Sequence, residues 1–251
     1  MTTTSITCAS WNVHRAKGQD GVVSSSRIMD AIEAVLCPEA PDVLTLQEAD
    51  TECPPHASIL DVARIAGATG LDYQHDARHL RWGPQSDGFL GTILWMHPRF
   101  RRSHADVIDL PGHCHRGVIA AEYAAGGTAF RVVSGHLSLS QPLRIVQMRI
   151  IGQYLFRRPK MQTIILGDLN EWRPWGGIAF SKHVLGETYH AASAPSFPTK
   201  RPILPLDRVL TNRADAIESF RVLDAPETNA ASDHRPIVAQ VRIPDGSARE
   251  G

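Results

Sequence analysis

The sequence predicts an α/β fold in which two sheets pack face to face and helices cover their outer faces. Two observations lead there. Apolar, β-branched segments outnumber helical ones, about eight to ten against three or four. The strands also fail to alternate regularly with helices, which argues against a doubly wound parallel sheet or a barrel. A third observation sets the extent of the unit. Strand-terminal polar clusters occur all the way from Asn12 to His234. Collecting them takes the whole chain, so residues 1–251 are expected to form one domain.

Residues 6–11 read as the first strand. Residues 14–24 form a loop in which Gly18 and Gly21 permit tight turns. Ser25 or Ser26 caps a helix with Ile28, Ile32, Val35 and Leu36 on its apolar face, ended by Pro38 and Pro41. Residues 42–46 are the next strand and deliver Glu48. After a Cys53-Pro54-Pro55-His56 loop, Ser58 caps a second helix, apolar through Ile59, Val62 and Ala66 and closed by Gly67 or Gly70.

From Tyr73 onward the pattern changes to strands, interrupted by a His- and Arg-rich loop over 74–87. Residues 88–96 read as a central strand and 107–110 as a weaker one. Residues 117–124 and 128–134 form a hairpin about Gly126-Gly127. Pro142 opens a long helix through Ile145, Met148, Arg149 and Tyr154. Thr163-Ile164-Ile165-Leu166 is a short buried strand stopped by Gly167, with a Trp- and Gly-rich loop over 171–177. Residues 191–205 are a Pro-rich loop, and 206–211, 217–223 and 236–243 are strands. The tail beyond Pro244 is expected to fray.

Hydrophobic residues make up 43% of the chain, enough for a substantial core, and the formal net charge is zero. No global field therefore draws the protein to nucleic acid or to an anionic membrane, which leaves only a local basic patch open. The four cysteines, Cys8, Cys37, Cys53 and Cys114, lack CxxC spacing and read as reduced, mostly buried thiols. His113-Cys114-His115 reads as a plain loop, because adjacent residues rarely converge on one zinc ion. Met1 to Ser5 carries no basic and apolar leader, and no window approaches about 20 apolar residues. A cytoplasmic protein with no transmembrane segment is expected.

The chemistry-bearing residues stand at strand ends. Asp168 and Asn170 lie two apart after the apolar strand, so in extended chain they point to one side. A carboxylate and an amide there can hold a hard metal ion or a phosphate-bound water. Asn12-Val13-His14, Gln47-Glu48, Gly135-His136 and Ser232-Asp233-His234 repeat the design. Taken singly, each has a plainer reading as a turn residue, a solvated strand end, an Asx turn, a core histidine or a helix cap. Five together are harder to dismiss, and none carries a nucleophilic Ser or Cys in a tight elbow.

In order along the chain, Trp11-Asn12-Val13-His14, Gln47-Glu48, Gly135-His136, Gly167-Asp168-Leu169-Asn170, Leu206-Asp207-Arg208-Val209 and Ser232-Asp233-His234 resemble the motifs of one superfamily. It is the endonuclease/exonuclease/phosphatase superfamily, which includes DNase I, abasic endonucleases, neutral sphingomyelinases and inositol polyphosphate 5-phosphatases. The resemblance spans nearly the whole chain. It implies a DNase I-like, four-layer α/β/β/α sandwich of two mainly antiparallel sheets. It also implies Mg²⁺-dependent cleavage of phosphoester bonds, with Mn²⁺ as a substitute ion.

Carried over residue by residue, Glu48 looks like the principal metal ligand, with Asn12 beside it and Asp233 completing the metal or histidine environment. His234 resembles the imidazole that activates water or holds the phosphate, and Asp207 would orient it. Asp168 and Asn170 would position the attacking water and a phosphate oxygen. His136 would bind the phosphate or assist the leaving group, and Arg116 would contact the phosphate. Asp168 and His234 both stand as the general base.

The substrate expected is a small or lipid-like phosphodiester. A DNA endonuclease or exonuclease of the same superfamily is the first alternative, and a catalytically inactive binding module the second. No basic stretch interleaved with aromatics is visible; Arg78, His79, Arg81 and Trp82 come closest. The surroundings of His14-Arg15 and Ser196-Phe197-Pro198 look like small bacterial members near the sphingomyelinase-like branch. No long hydrophobic hairpin for membrane insertion is present.

Overall fold

A computed structural model describes residues 4–112, 116–125, 127–173 and 175–243. The chain builds most of one sheet, crosses to a second, and returns to finish the first. β1 (Thr4–Asn12), β2 (Val43–Gln47), β3 (Asp72–Tyr73) and β4 (Ile93–Met96) belong to the first sheet. β5 (Arg101–Leu110), β6 (Arg116–Ala125), β7 (Thr128–His136), β8 (Gln162–Asp168), β9 (His190–Ser193) and β10 (Asp207–Thr211) make the second. β11 (Ile217–Val222) and β12 (Ile237–Ile243) close the first. The orders are β11-β12-β1-β2-β4-β3 and β5-β6-β7-β8-β10-β9.

Neighbouring strands are antiparallel except at one place in each sheet, β1–β2 and β7–β8. A parallel pair needs a crossover, and a helix supplies each one. α1 (Ser25–Ala31) lies between β1 and β2, and α3 (Gln141–Phe156) between β7 and β8. These crossovers place the carboxyl ends of the paired strands side by side. Asn12 pairs with Gln47, and His136 with Asp168.

Alternation along the strands sorts side chains into three apolar layers. In β8, Ile164 and Leu166 enter the core between the sheets, with Ile6, Val43, Leu94, Val132 and Val209. Ile165 faces the other way, against Met148, Ile151 and Leu155 of α3. On the far side of the molecule, Ile28 and Ile32 meet Trp11, Leu44 and Trp95 of the first sheet, with Ile65 of α2 (Val62–Thr69) in the same cluster. The layer order is therefore helix, sheet, sheet, helix. A polar ladder interrupts the central layer, where Gln47 Nε2 donates to Ser10 Oγ and Thr45 Oγ1, both at 3.2 Å. Thr45 in turn meets Ser134 of the opposite sheet.

Several elements differ from expectation, each for a local reason. The cap of α1 is Ser24, whose Oγ accepts from Arg27 N at 3.3 Å. The helical path then continues through a π turn, Ile32–Leu36, and a 3-10 turn, Cys37–Glu39. α2 starts late because Asp61, not Ser58, caps it, accepting from Arg64 N at 2.9 Å. The central strand shortens to β4, since Leu90 and Gly91 take positive φ (52° and 78°) and fold 88–92 into a turn. β5 runs over ten residues where four were expected, its apolar signal masked by the charges of a sheet edge. β9 overlaps the start of the segment read as a Pro-rich loop, and β3 is a two-residue edge pairing. α4 (Lys182–Leu185) and α5 (Pro226–Ala231) are too short to show periodicity.

β8 does not stop at Gly167. The glycine sits opposite Gly135 with φ +138°, and the strand continues to Asp168. A Cβ there would lie 2.0 Å from Gly135 O. Cys8, Cys37 and Cys53 are free thiols, but only Cys8 is buried. His113-Cys114-His115, Gly126 and the tail from residue 244 lie outside the described residues. No helix among the described residues is long and apolar enough to cross a membrane.

Candidate active site

Three of the expected residues form one row across the second sheet. His136 ends β7, Asp168 ends β8 and Asp207 begins β10, and each registers directly against its neighbour. Asn12 and Glu48 stand opposite, at the ends of β1 and β2. The two sheets meet through Asn12, whose Nδ2 donates to Asp168 Oδ2 at 2.9 Å and to Glu48 Oε1 at 3.2 Å. Glu48 and Asn170 both take left-handed backbone, φ 54° and 52°, which turns the chain sharply at the strand ends. Asn170 N donates to Asp168 Oδ1 at 3.1 Å, and Asn170 Nδ2 donates to Leu137 O at 2.9 Å.

Two histidines flank Asp168. His136 Nε2 lies 3.2 Å from Asp168 Oδ2, and its Nδ1 3.9 Å from Glu48 Oε1. His234 Nε2 lies 3.7 Å from Asp168 Oδ2, while its Nδ1 meets Asp207 Oδ2 at 2.9 Å. Ser196 Oγ also donates to Asp207, and the Phe197 ring packs on His234 with centroids 4.8 Å apart. The backbone fixes His234 as well. Trp11 Nε1 donates to its carbonyl at 2.9 Å, and Ser232 Oγ accepts its N–H at 3.1 Å.

The same burial gives the two rings opposite tendencies. Desolvation holds the His136 imidazole well below its ordinary range, and the charges of Arg116, His234 and Arg15 push the same way. Burial would also lower His234, but the carboxylates of Asp207 and Asp168 overcome it and raise the ring well above its ordinary value. Burial raises the Asp168 carboxyl towards neutrality; the charge of His234 opposes that rise without cancelling it. One neutral ring, one cationic ring and one carboxyl poised near neutrality thus share a buried cluster.

Oxygen donors suited to a hard divalent ion are present. Glu48 and Asp168 converge from opposite sheets, and Asp207 Oδ1 is buried with no hydrogen-bond partner among the described residues. With no thiolate in the set, the chemistry suits Mg²⁺ or Mn²⁺. Asp168, Asp207 and His234 also bring ligand atoms within 4.8 Å of one another. There the ring itself bridges the two carboxylates, so Glu48 is the better centre for an ion. Asn12 presents its amide nitrogen to the carboxylates, because Oδ1 accepts from His14 N at 2.9 Å.

Asp233 is not brought into the row. Its carboxylate faces His14 Nδ1 at 3.7 Å and is 30% exposed. Arg116 lines a small recess beside Glu48 together with Arg15, Asp50 and His56. Arg15 was noted only for its sequence context, and Asp50 carried no signal in the sequence. Arg15 pairs with Glu48 across a left-handed run at His14, Arg15 and Ala16. Asp50 is buried two residues past Glu48, its carboxyl pushed up to about 7 by burial. Ser196 was noted only for its sequence context, because its bond to Asp207 depends on the path of the 196–204 loop.

This layering, with catalytic-type residues at facing sheet ends, defines a DNase I-like protein. The model of the Endonuclease/Exonuclease/phosphatase family matches residues 9–234, and the chain belongs to that family. Members of this superfamily are phosphoester hydrolases. Among curated proteins, YbhP of Escherichia coli K12, described as uncharacterised, is 27% identical over 159 residues. That match spans 61% of this chain and 62% of YbhP, so the chain aligns with about three fifths of that relative. Among solved structures, a family member from Bacteroides vulgatus superposes with TM-score 0.76 at 12% identity, covering 96% of this chain and all of that one. Truncated Caenorhabditis elegans TDP2 gives TM-score 0.69 at 18% identity, covering 94% and 97%. The Bacteroides thetaiotaomicron mannosyl-6-phosphatase Bt3783 gives 0.70 at 14%, covering 94% and 99%. At these identities the structural likeness establishes the fold.

Proposed function

We propose that the chain is one domain acting as a Mg²⁺-dependent phosphodiesterase on a small or lipid-like substrate. The observation that carries this reading is the Asn12 amide joining Glu48 and Asp168 across the two sheets. It gathers an oxygen ligand set and an Asp–His pair at one spot.

Glu48 would hold the ion, with Asn12 beside it and Asp168 facing it across the Asn12 amide. When bound, the ion supplies charge against the phosphoryl oxygens and acidifies nearby water. Asp168, raised towards neutrality and fixed by Asn170 N, accepts the proton of the attacking water. His234, protonated and held by Asp207, faces the phosphate as a cation and stabilises the charge that builds there. That arrangement favours Asp168 over His234 as general base. His136 stays neutral and holds its side of the phosphate, with Asn170 and Arg116 as further contacts.

A Mg²⁺-supplemented screen tests the reading, with bis-p-nitrophenyl phosphate, p-nitrophenyl phosphate, phospholipids, sphingomyelin, supercoiled DNA and an abasic duplex. Turnover of small or lipid diesters is expected to exceed nicking of DNA. One observation favours the nuclease as second reading: the structural neighbours include Danio rerio TDP2 complexed with single-stranded DNA product, at TM-score 0.68. Salt separates the two. With zero formal net charge, little counterion release favours a polyanion, so DNA binding should be weak at all salt concentrations. Tight duplex binding at physiological salt with efficient nicking would promote the nuclease.

A further inference from the structure

We infer that the rim of this site is a docking surface for an anionic lipid bilayer, from which the recessed site takes a phosphodiester headgroup. The inference rests on the phosphoester reading above, but it concerns residues outside the catalytic row.

Nine large apolar side chains are exposed among the described residues, and only Val146 and Phe156 of α3 lie away from the site-bearing strand ends. Val22 and Val23 belong to the turn that follows β1, and Leu139 follows β7. Trp172, Trp175 and Ile178 follow β8, and Ile203 belongs to the segment leading into β10. Leu139 is 76% exposed, Trp175 70% and Ile203 64%. Such side chains scatter singly over most soluble surfaces; concentration at one end marks an interaction site.

A buried charge network holds these tips up. Arg144 donates to Ser138 O at 2.9 Å and to Leu139 O at 2.7 Å, and lies 3.4 Å from Glu171 Oε2. Arg208 donates to Glu171 O and to Arg173 O, each at 2.6 Å. Arg173 reaches across to Gln141 Oε1 at 2.6 Å and ties the two loops together. The two loops that carry Leu139 and Trp172 are therefore fixed by charge-assisted hydrogen bonds.

Cations sit among the tips. Lys200 and Arg201 precede Ile203, and Lys17 opens the turn that carries Val22, all three exposed. Acids on the same segments are already engaged: Asp20 pairs with Arg27 at 2.8 Å, and Glu171 lies buried beneath Arg144 and Arg173. Aromatic tips at headgroup depth with interleaved Lys and Arg complement an anionic leaflet.

Other occupants fit less well. A protein partner buries a contiguous apolar centre depleted in lysine, whereas these tips rise from separate segments. Single-stranded nucleic acid needs free aromatic faces for stacking. Five of the seven tips are aliphatic, and the Trp172 ring carries Arg173 at 4.6 Å from its centroid. The row below is recessed: His136, Asp168, Asn170, Asp207 and His234 are each at most 5% exposed. A bilayer seated on the rim presents headgroups to it.

The test is co-sedimentation of the full chain with vesicles of phosphatidylglycerol and phosphatidylcholine, against pure phosphatidylcholine, with Mg²⁺-dependent hydrolysis of soluble bis-p-nitrophenyl phosphate in parallel. Binding to the anionic vesicles is expected. It should fall by about tenfold or more in Trp175→Ala/Ile203→Ser and in Lys200→Glu/Arg201→Glu, with soluble turnover unchanged. Soluble turnover without binding to anionic vesicles overturns the docking surface and leaves the phosphoester reading standing. Vesicle binding without soluble turnover keeps the surface and overturns that reading. Binding of a single-stranded oligonucleotide in place of vesicles, lost in the same variants, overturns the lipid assignment in favour of nucleic acid.

Discussion

His136 and His234 flank one carboxylate and carry different charge, because their other neighbours differ. His234 has Asp207 behind it at 2.9 Å; His136 has Arg116 and Arg15 within electrostatic reach. Substitution should separate the two roles. His234→Ala is expected to lower kcat by about 10²-fold or more, and Asp207→Asn by less, since it disturbs only the tautomer and position of the ring. Steady-state kinetics with bis-p-nitrophenyl phosphate reads both, and near wild-type turnover in folded His234→Ala would remove it from the mechanism. At this scale much of the candidate site was legible in the sequence. Asn12, His136, Asp168 and Asp207 end or begin a strand, and Glu48, Asn170 and His234 lie within three residues of one, a placement that can be read locally. Asp233 stands outside the row, since its position beside His234 says nothing about which way its side chain turns, although its charge still reaches His234. The pairing of Arg15 with Glu48 was missed because three successive left-handed residues, with no glycine among them, leave no mark in composition.

The elements deliver these residues through their register, and register depends on close backbone approach at Gly135 and Gly167. Gly167 takes φ +138°, and a Cβ there would come within 2.0 Å of Gly135 O. Gly167→Ala should therefore destabilise the fold by about 2–4 kcal/mol and pull Asp168 out of the row. Chemical denaturation and metal titration check this together; an alanine variant with unchanged midpoint and unchanged activity would show that the pairing tolerates a side chain. Elements with strong apolar alternation, such as β1, β8 and β12, were readable. β4 and β5 were not, for opposite reasons. Apolar Phe89 and Leu90 look like strand but sit in a turn fixed by two positive-φ residues. Arg101, Arg102 and His104 look like loop but pair along a sheet edge. In both cases tertiary contacts overrode the local pattern.

For the molecule as a whole, the layer order followed from the count and spacing of strands. Two edge pairings, β3 and β9, needed the assembled sheets to exist. Stability should carry a signature of His75, which is fully buried on the inner side of the 74–87 loop. Its Nδ1 donates to Leu80 O at 2.7 Å and its Nε2 accepts from Leu94 N at 3.2 Å, an arrangement open only to the neutral ring. Burial lowers its pKa from the ordinary 6.5 to about 4, the Leu80 carbonyl offsetting part of the fall. The folded value lies below the unfolded one. The ring's contribution, about 3 kcal/mol, is thus complete above roughly pH 6.5 and declines as pH falls towards 4. Asp50, raised by burial to about 7, acts with the opposite sign, so the total slope does not isolate the histidine. The difference in unfolding free energy between wild type and His75→Gln does, and it should shrink over that window; a constant difference would show that His75 does not titrate.

The central claim is that facing sheet ends build one metal-dependent phosphoester site. Its most direct measurement is hydrolysis of bis-p-nitrophenyl phosphate by chelator-treated protein as Mg²⁺ is restored, alongside Mg²⁺ binding by calorimetry for wild type and Glu48→Gln. Activity should vanish with chelation and return with Mg²⁺. Glu48→Gln should remain folded while binding the ion about tenfold or more weakly, because the charged oxygen ligand is gone. Full turnover in excess chelator, or undiminished Mg²⁺ affinity in Glu48→Gln, would contradict the account.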